Sequence, residues 1–243
     1  MIETAAALLL GHMVGDFLLQ TDAMVARKRE VRMLLLHVAV VVGATWAALG
    51  FAPVPALLLL IGTSHFVIDM AKVRHGSASF GPFAIDQAAH LAIIALGAAL
   101  VPGAYAAGLW TWLEPGPLGG WLVHLPQAMA LAAGVIATVW AGGYAVQALM
   151  SDLKLPADPE GLPKGGQLIG RLERLMILML FLANQPDGIG LLIAAKSILR
   201  FNELARDADR RASEYVIIGT LGSFAWAIGT AWATATALAA LAP

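Results

Sequence analysis

The chain has 243 residues, 59% of them hydrophobic and 13% charged, with a mean hydropathy of +0.77 and a formal net charge of −1. Soluble domains carry roughly 25% charged residues, so a water-covered surface is excluded and an all-α, polytopic membrane bundle is expected. The near-zero charge leaves no nucleic-acid footprint, and the absence of cysteine removes disulfides, thiolate metal ligands and thiol nucleophiles.

A membrane-crossing helix needs about 20 mostly apolar residues. In chain order, eight stretches fit: 3–21, 33–51, 54–72, 84–101, 124–148, 167–183, 188–203 and 214–241. The first starts at Met1-Ile2-Glu3-Thr4 with no basic run ahead of it, so it is expected to be a retained span and not a signal peptide. Ala52-Pro53-Val54-Pro55 joins the second and third spans tightly. Asn184-Gln185-Pro186-Asp187-Gly188 joins the short sixth and seventh, which could instead form a hairpin that stops short of crossing. Lys and Arg fall in alternate connections: Arg27, Lys28, Arg29 and Arg32; Lys72 and Arg74; Lys154 and Lys164, with Arg171 and Arg174 just beyond; and Arg206, Arg210 and Arg211. The connections near 52–55, 102–123 and 184–187 have none. Basic loops stay cytoplasmic, so eight spans with both termini outside are expected. Trp110, Trp112 and Trp121 mark 102–123 as an outer interfacial loop. The polar stretch SDLKLPADPEGLPKGG (151–166) separates a five-span front half, 1–150, from a three-span back half, 167–243.

Ionisable groups inside spans are costly, which makes each one a functional candidate. Span one carries His12 and Asp16, then Gln20; span two His37; span three His65 and Asp69, then Lys72; span four Asp86 and His90. Each His/Asp pair is four residues apart, so both side chains lie on one helix face. The charge-derived topology puts all seven His and Asp residues in the cytoplasmic half of the bilayer at overlapping depth. A lone buried histidine is ordinarily a packed, hydrogen-bonded residue, but three such pairs at one depth point to a shared cavity. Imidazole and carboxylate together suit zinc, manganese or iron. His12, Asp16, His37, His65, Asp69, Asp86 and His90 are therefore the candidate ligands of a divalent metal, zinc first, with Asp16 or Asp86 as general base and Lys72 steadying developing negative charge. Ser64 next to His65 is no dyad, because adjacent helical residues do not face each other.

In the back half, Arg171, Glu173, Arg174, Lys196, Arg200, Glu203 and Glu214 lie towards the same side. Ion pairs and snorkelling account for most of them. The sharper alternative makes Lys196, Arg200 and Arg171, with Gln20, a wall for an anionic substrate.

The segments GHMVGDFLLQ, SHFVIDMAK and DQAAHL, followed by GQLIGRLERLMI, IGLLIAAKSILRF and EYVIIGTLGSF, resemble the bacterial membrane proteins of the domain-of-unknown-function family numbered 3307. That resemblance implies multi-pass residence in a bacterial inner membrane and carries no activity. The His/Asp pattern is also distantly similar to membrane-bound metal-dependent hydrolases. Together these readings give an expected function: an integral-membrane metal-dependent hydrolase acting on a lipid-linked or amphiphilic ester or phosphoester at the cytoplasmic side. A proton- or cation-coupled transporter and a non-catalytic scaffold with a structural metal are the alternatives. The sequence leaves the oligomeric state open.

Overall fold

The computed structural model describes residues 1–76, 78–114, 116–117, 119–151, 153, 165–204 and 210–242, without the side chains of 75, 199–204, 210 and 212. All regular structure among the described residues is helical. In chain order the helices are α1 (Ile2–Phe17), α2 (Asp22–Ala26), α3 (Val31–Ala48), α4 (Pro55–His75), α5 (Phe80–Leu100), α6 (Leu109–Trp112), α7 (Gly119–Leu122) and α8 (Leu125–Ile136). A π-helical turn (Ala137–Ala141) follows, then α9 (Gly142–Met150), α10 (Gly165–Leu182), α11 (Pro186–Leu204) and α12 (Arg210–Ala240). Most of the polar 151–166 stretch lies outside the described residues.

Helices occupy all eight stretches expected to span. Five of them are long and apolar enough to cross a membrane: Val31–Ala48, Pro55–Arg74, Phe80–Leu100, Leu125–Met150 and Ser213–Ala240. The other three fall short of that description for visible reasons. Helix α1 has 16 residues and stops at Phe17, not at 21. Helix α10 holds Arg171, Glu173 and Arg174 within its 18 residues, and α11 holds Asp187, Lys196, Arg200 and Glu203. Leu59, Val67, Ile85, Leu191 and Trp232 stand more than three-fifths exposed, as apolar side chains do where lipid replaces water.

The described residues fold into two compact units. The first comprises Met1–Ser77, Gly81–Ile136 and Thr236–Pro243; the second Ala78–Phe80 and Ala137–Ala235. In the first, α1 packs along α3 and α8, and α3 also packs on α4. Lipid tails are as apolar as leucine, so close packing, not hydrophobicity, holds such helices together. Two glycines set the α1–α3 approach. A Cβ at Gly15 would come within 2.6 Å of Val41 Cγ2, and one at Gly11 within 2.5 Å of Thr45 Cα. A core of Leu8, Leu49, Leu57, Ile61, Ile94, Ala98 and Met129 fills the end away from the histidines. There Thr4 Oγ1 donates to the Pro102 carbonyl at 2.8 Å and accepts from the Tyr105 N–H at 3.2 Å. In the 102–123 connection Trp112 and Trp121 are exposed, whereas the Trp110 indole turns inward and donates to the Ala47 carbonyl.

In the second unit the π-helical turn leads into α9. A wide turn frees carbonyls that lipid cannot satisfy, and side chains supply the missing donors. Arg174 Nε donates to Thr138 O at 3.0 Å and Nη2 to Val139 O at 2.9 Å, while Trp226 Nε1 donates to Ala137 O at 2.9 Å. Helix α10 ends where Asn184 takes φ 54°. Asn184 N–H bonds Phe181 O and Gln185 N–H bonds Leu180 O, closing a left-handed cap before Pro186 starts α11.

Candidate metal centre

Each of four helices buries a stripe with a step of four residues: Thr4, Leu8 and His12 on α1, continued by the half-buried Asp16; His37, Val41 and Thr45 on α3; Leu57, Ile61, His65 and Asp69 on α4; Asp86, His90, Ile94 and Ala98 on α5. Leu8, Leu57, Ile61, Ile94 and Ala98 of these stripes meet in the core, and the His and Asp members meet at its other end. The two glycines of α1 flank this arrangement, so His12 and Asp16 come close to the α3 backbone. Beyond α1, Thr21 Oγ1 caps α2 by accepting from the Met24 N–H at 3.3 Å. Met24 is buried, which anchors α2 and the Arg27–Arg29 turn beside the cluster.

Two imidazoles and two carboxylates form its centre. His37 Nε2 and His65 Nε2 are 3.1 Å apart. Asp16 Oδ1 lies 3.3 Å from both. Asp69 Oδ2 lies 3.4 Å from His37 Nε2 and 3.6 Å from His65 Nε2. The Gln20 amide approaches the same His37 nitrogen at 3.0 Å. His37 Nε2 thus has four polar atoms around it, although an imidazole nitrogen carries only one proton or one lone pair. His37 is fully buried, so water does not explain the surplus. Among the described residues, two groups have donor atoms close enough to hold one ion: His37, His65 and Asp69; and His12, Asp16 and His65.

The remaining front-half candidates surround this centre. The His12 ring stacks on His90 at 4.8 Å, and His90 lies 4.3 Å from the His65 ring. His90 Nδ1 is 2.9 Å from the Asp86 carbonyl. That contact needs the proton on Nδ1 and leaves Nε2 with a lone pair and no hydrogen bond. Asp86 is bound by Lys72 Nζ at 2.7 Å and by the Gln87 amide at 3.0 Å. Lys72 therefore neutralises a carboxylate in the structure. A cavity of about 10 Å³, room for one water, adjoins the cluster and is lined by His12, Thr45, Ser64, His65 and His90 among apolar neighbours. Ser64 Oγ donates to its own helix, at Leu60 O.

The back-half candidates do not assemble into a pocket. Lys196 Nζ is bound to the Glu173 carboxylate and lies 5.1 Å from the Phe224 ring centre. Arg171 is exposed, and the Arg200 side chain lies outside the described ones. Sequence reasoning misses Lys28, whose ammonium sits 2.9 Å from Asp69 Oδ2; its place in a basic connection marks it only as a loop charge. It also misses the Arg174 clamp, because nothing in the local pattern signals a π-helical turn.

Comparison with known proteins adds one finding. Residues 5–109 match the model of a family described as protein of unknown function (DUF3307). The back-half segments lie outside that match. No curated protein and no solved structure matches the chain. The family likeness therefore covers the stretch that contains every donor from His12 to His90, and it names no activity for them.

Proposed function

We propose that this is a bacterial inner-membrane protein, crossing eight times with both termini outside, that holds one divalent metal between α1, α3 and α4. The ligands are Asp16, His37, His65 and Asp69. One observation carries the reading: the two imidazole nitrogens stand 3.1 Å apart, with Asp16 Oδ1 at 3.3 Å from both and Asp69 Oδ2 at 3.4 and 3.6 Å from them. Adjacent ligands of a tetrahedral zinc, each about 2.0 Å from the ion, stand about 3.3 Å apart, close to the spacing of these five pairs. The mixed nitrogen and oxygen set suits zinc, with manganese or iron as alternatives.

Four protein ligands saturate a tetrahedral zinc, whereas catalytic zinc keeps a position open. A metal that ties three helices together is therefore the role the geometry supports best. The hydrolytic reading keeps one support, the water-sized cavity beside His65, where His90 Nε2 and Thr45 Oγ1 lack partners. That space admits a water and no ester. Turnover on a lipid-linked substrate would require one carboxylate to leave the metal and the helices to part. Metal analysis of the purified protein tests the primary reading. Wild type should retain about one zinc per chain and His65→Ala far less, because the site loses one of its two imidazoles and keeps two carboxylates with a single nitrogen. Equal metal content in both would overturn the assignment.

A further inference from the structure

In the Arg27-Lys28-Arg29 turn the two arginines are exposed and the lysine is not. The Lys28 side chain is 15% exposed, and Asp69, its partner, is 1% exposed. The oxygen it binds, Asp69 Oδ2, is the same atom that faces His37 Nε2 and His65 Nε2. The other nearby lysine differs. Lys72 binds Asp86, whose carboxylate lies outside the four-donor set. Among the described residues, Lys28 alone therefore places a fixed positive charge on a donor of the metal reading.

Given that reading, on which this inference rests, we propose that Lys28 is a built-in competitor for the metal. Its ammonium holds Asp69 Oδ2 until a divalent ion takes the oxygen, and loading then releases Lys28 towards water. A carboxylate oxygen has lone pairs enough for two partners, but an ammonium and a divalent ion sharing it repel strongly where the dielectric is low. Lysine is suited to leave, being a compact, well-hydrated charge on a flexible four-carbon stem. Its partial exposure provides the route. Met24 anchors the α2 side of the segment, so the movement is confined to the side chain and its short turn. The competition lowers the apparent metal affinity and makes the 27–29 turn report on metal loading.

Zinc titration of the full chain in detergent, for wild type and Lys28→Gln, tests this together with amine labelling of wild type followed by mass spectrometry. Lys28→Gln should bind zinc about tenfold tighter or more, since the competent state is no longer masked. Zinc should raise labelling of Lys28 and leave Lys72 unchanged. An affinity of Lys28→Gln within roughly twofold of wild type, or weaker, overturns the inference. So does Lys28 labelling that zinc does not alter, a result that depends on no variant folding. In either case zinc binding by wild type that His65→Ala abolishes leaves the metal reading standing. A wild type that takes up no zinc removes both.

Discussion

Asp69 illustrates how much a single buried carboxylate does here: one oxygen faces two imidazole nitrogens and an ammonium. A deeply buried charge survives only when it is paired, and across the front unit each carboxylate of the cluster has a cation or an imidazole beside it. The same rule decides the back half. Lys196 is the deepest basic residue of α11 and invites a substrate role, yet it is bound to Glu173 and rests over Phe224. Removing one partner strands the other. Lys196→Met should therefore cost about 3–5 kcal/mol, and the double variant Lys196→Met/Glu173→Gln should recover much of it. Thermal melting in detergent measures both. A Lys196→Met protein as stable as wild type would contradict the structural assignment.

Between elements, the closeness of α1 to α3 determines whether the donors meet. The i,i+4 spacing of His12 with Asp16, His65 with Asp69 and Asp86 with His90 is a property of the helix itself, so the sequence discloses which faces carry the polar groups. The glycines that let those faces converge are less legible. Gly11 and Gly15 look like any small residues until Thr45 and Val41 are seen against them. The partner of a helix face lies far off in the chain, which is also why Lys28 read as a loop charge and Arg174 as an interfacial one. A consequence follows for a residue that touches no metal. Gly15→Leu should force α1 away from α3, cost about 1–3 kcal/mol as overpacking, and abolish metal retention with all four donors intact. Metal content and melting temperature, measured together, check this. Full metal retention in Gly15→Leu would show that the α1–α3 contact does not set the site.

For the molecule as a whole, hydropathy discloses the membrane-type helical architecture. The crossing count is harder to read, because α10 and α11 combine moderate length with several charges, of which Glu173 and Lys196 pair with each other, and α1 is shorter than the apolar stretch suggests. The alternation of basic connections predicts opposite sides for the 22–32 and 102–123 connections. The chain has no cysteine, so Glu30→Cys and Gly116→Cys each introduce one clean reporter. A membrane-impermeant thiol reagent applied to intact cells should label position 116 and not position 30; labelling of both from outside would contradict the eight-crossing arrangement. The central claim is narrower, that Asp16, His37, His65 and Asp69 surround one metal. X-ray absorption spectroscopy of the zinc-loaded protein tests it most directly. The account predicts four nitrogen and oxygen neighbours at about 2.0–2.1 Å, with the outer-shell scattering of two imidazoles, reduced to one in His37→Ala. An all-oxygen shell without imidazole scattering, or a spectrum that His37→Ala leaves unchanged, would contradict it.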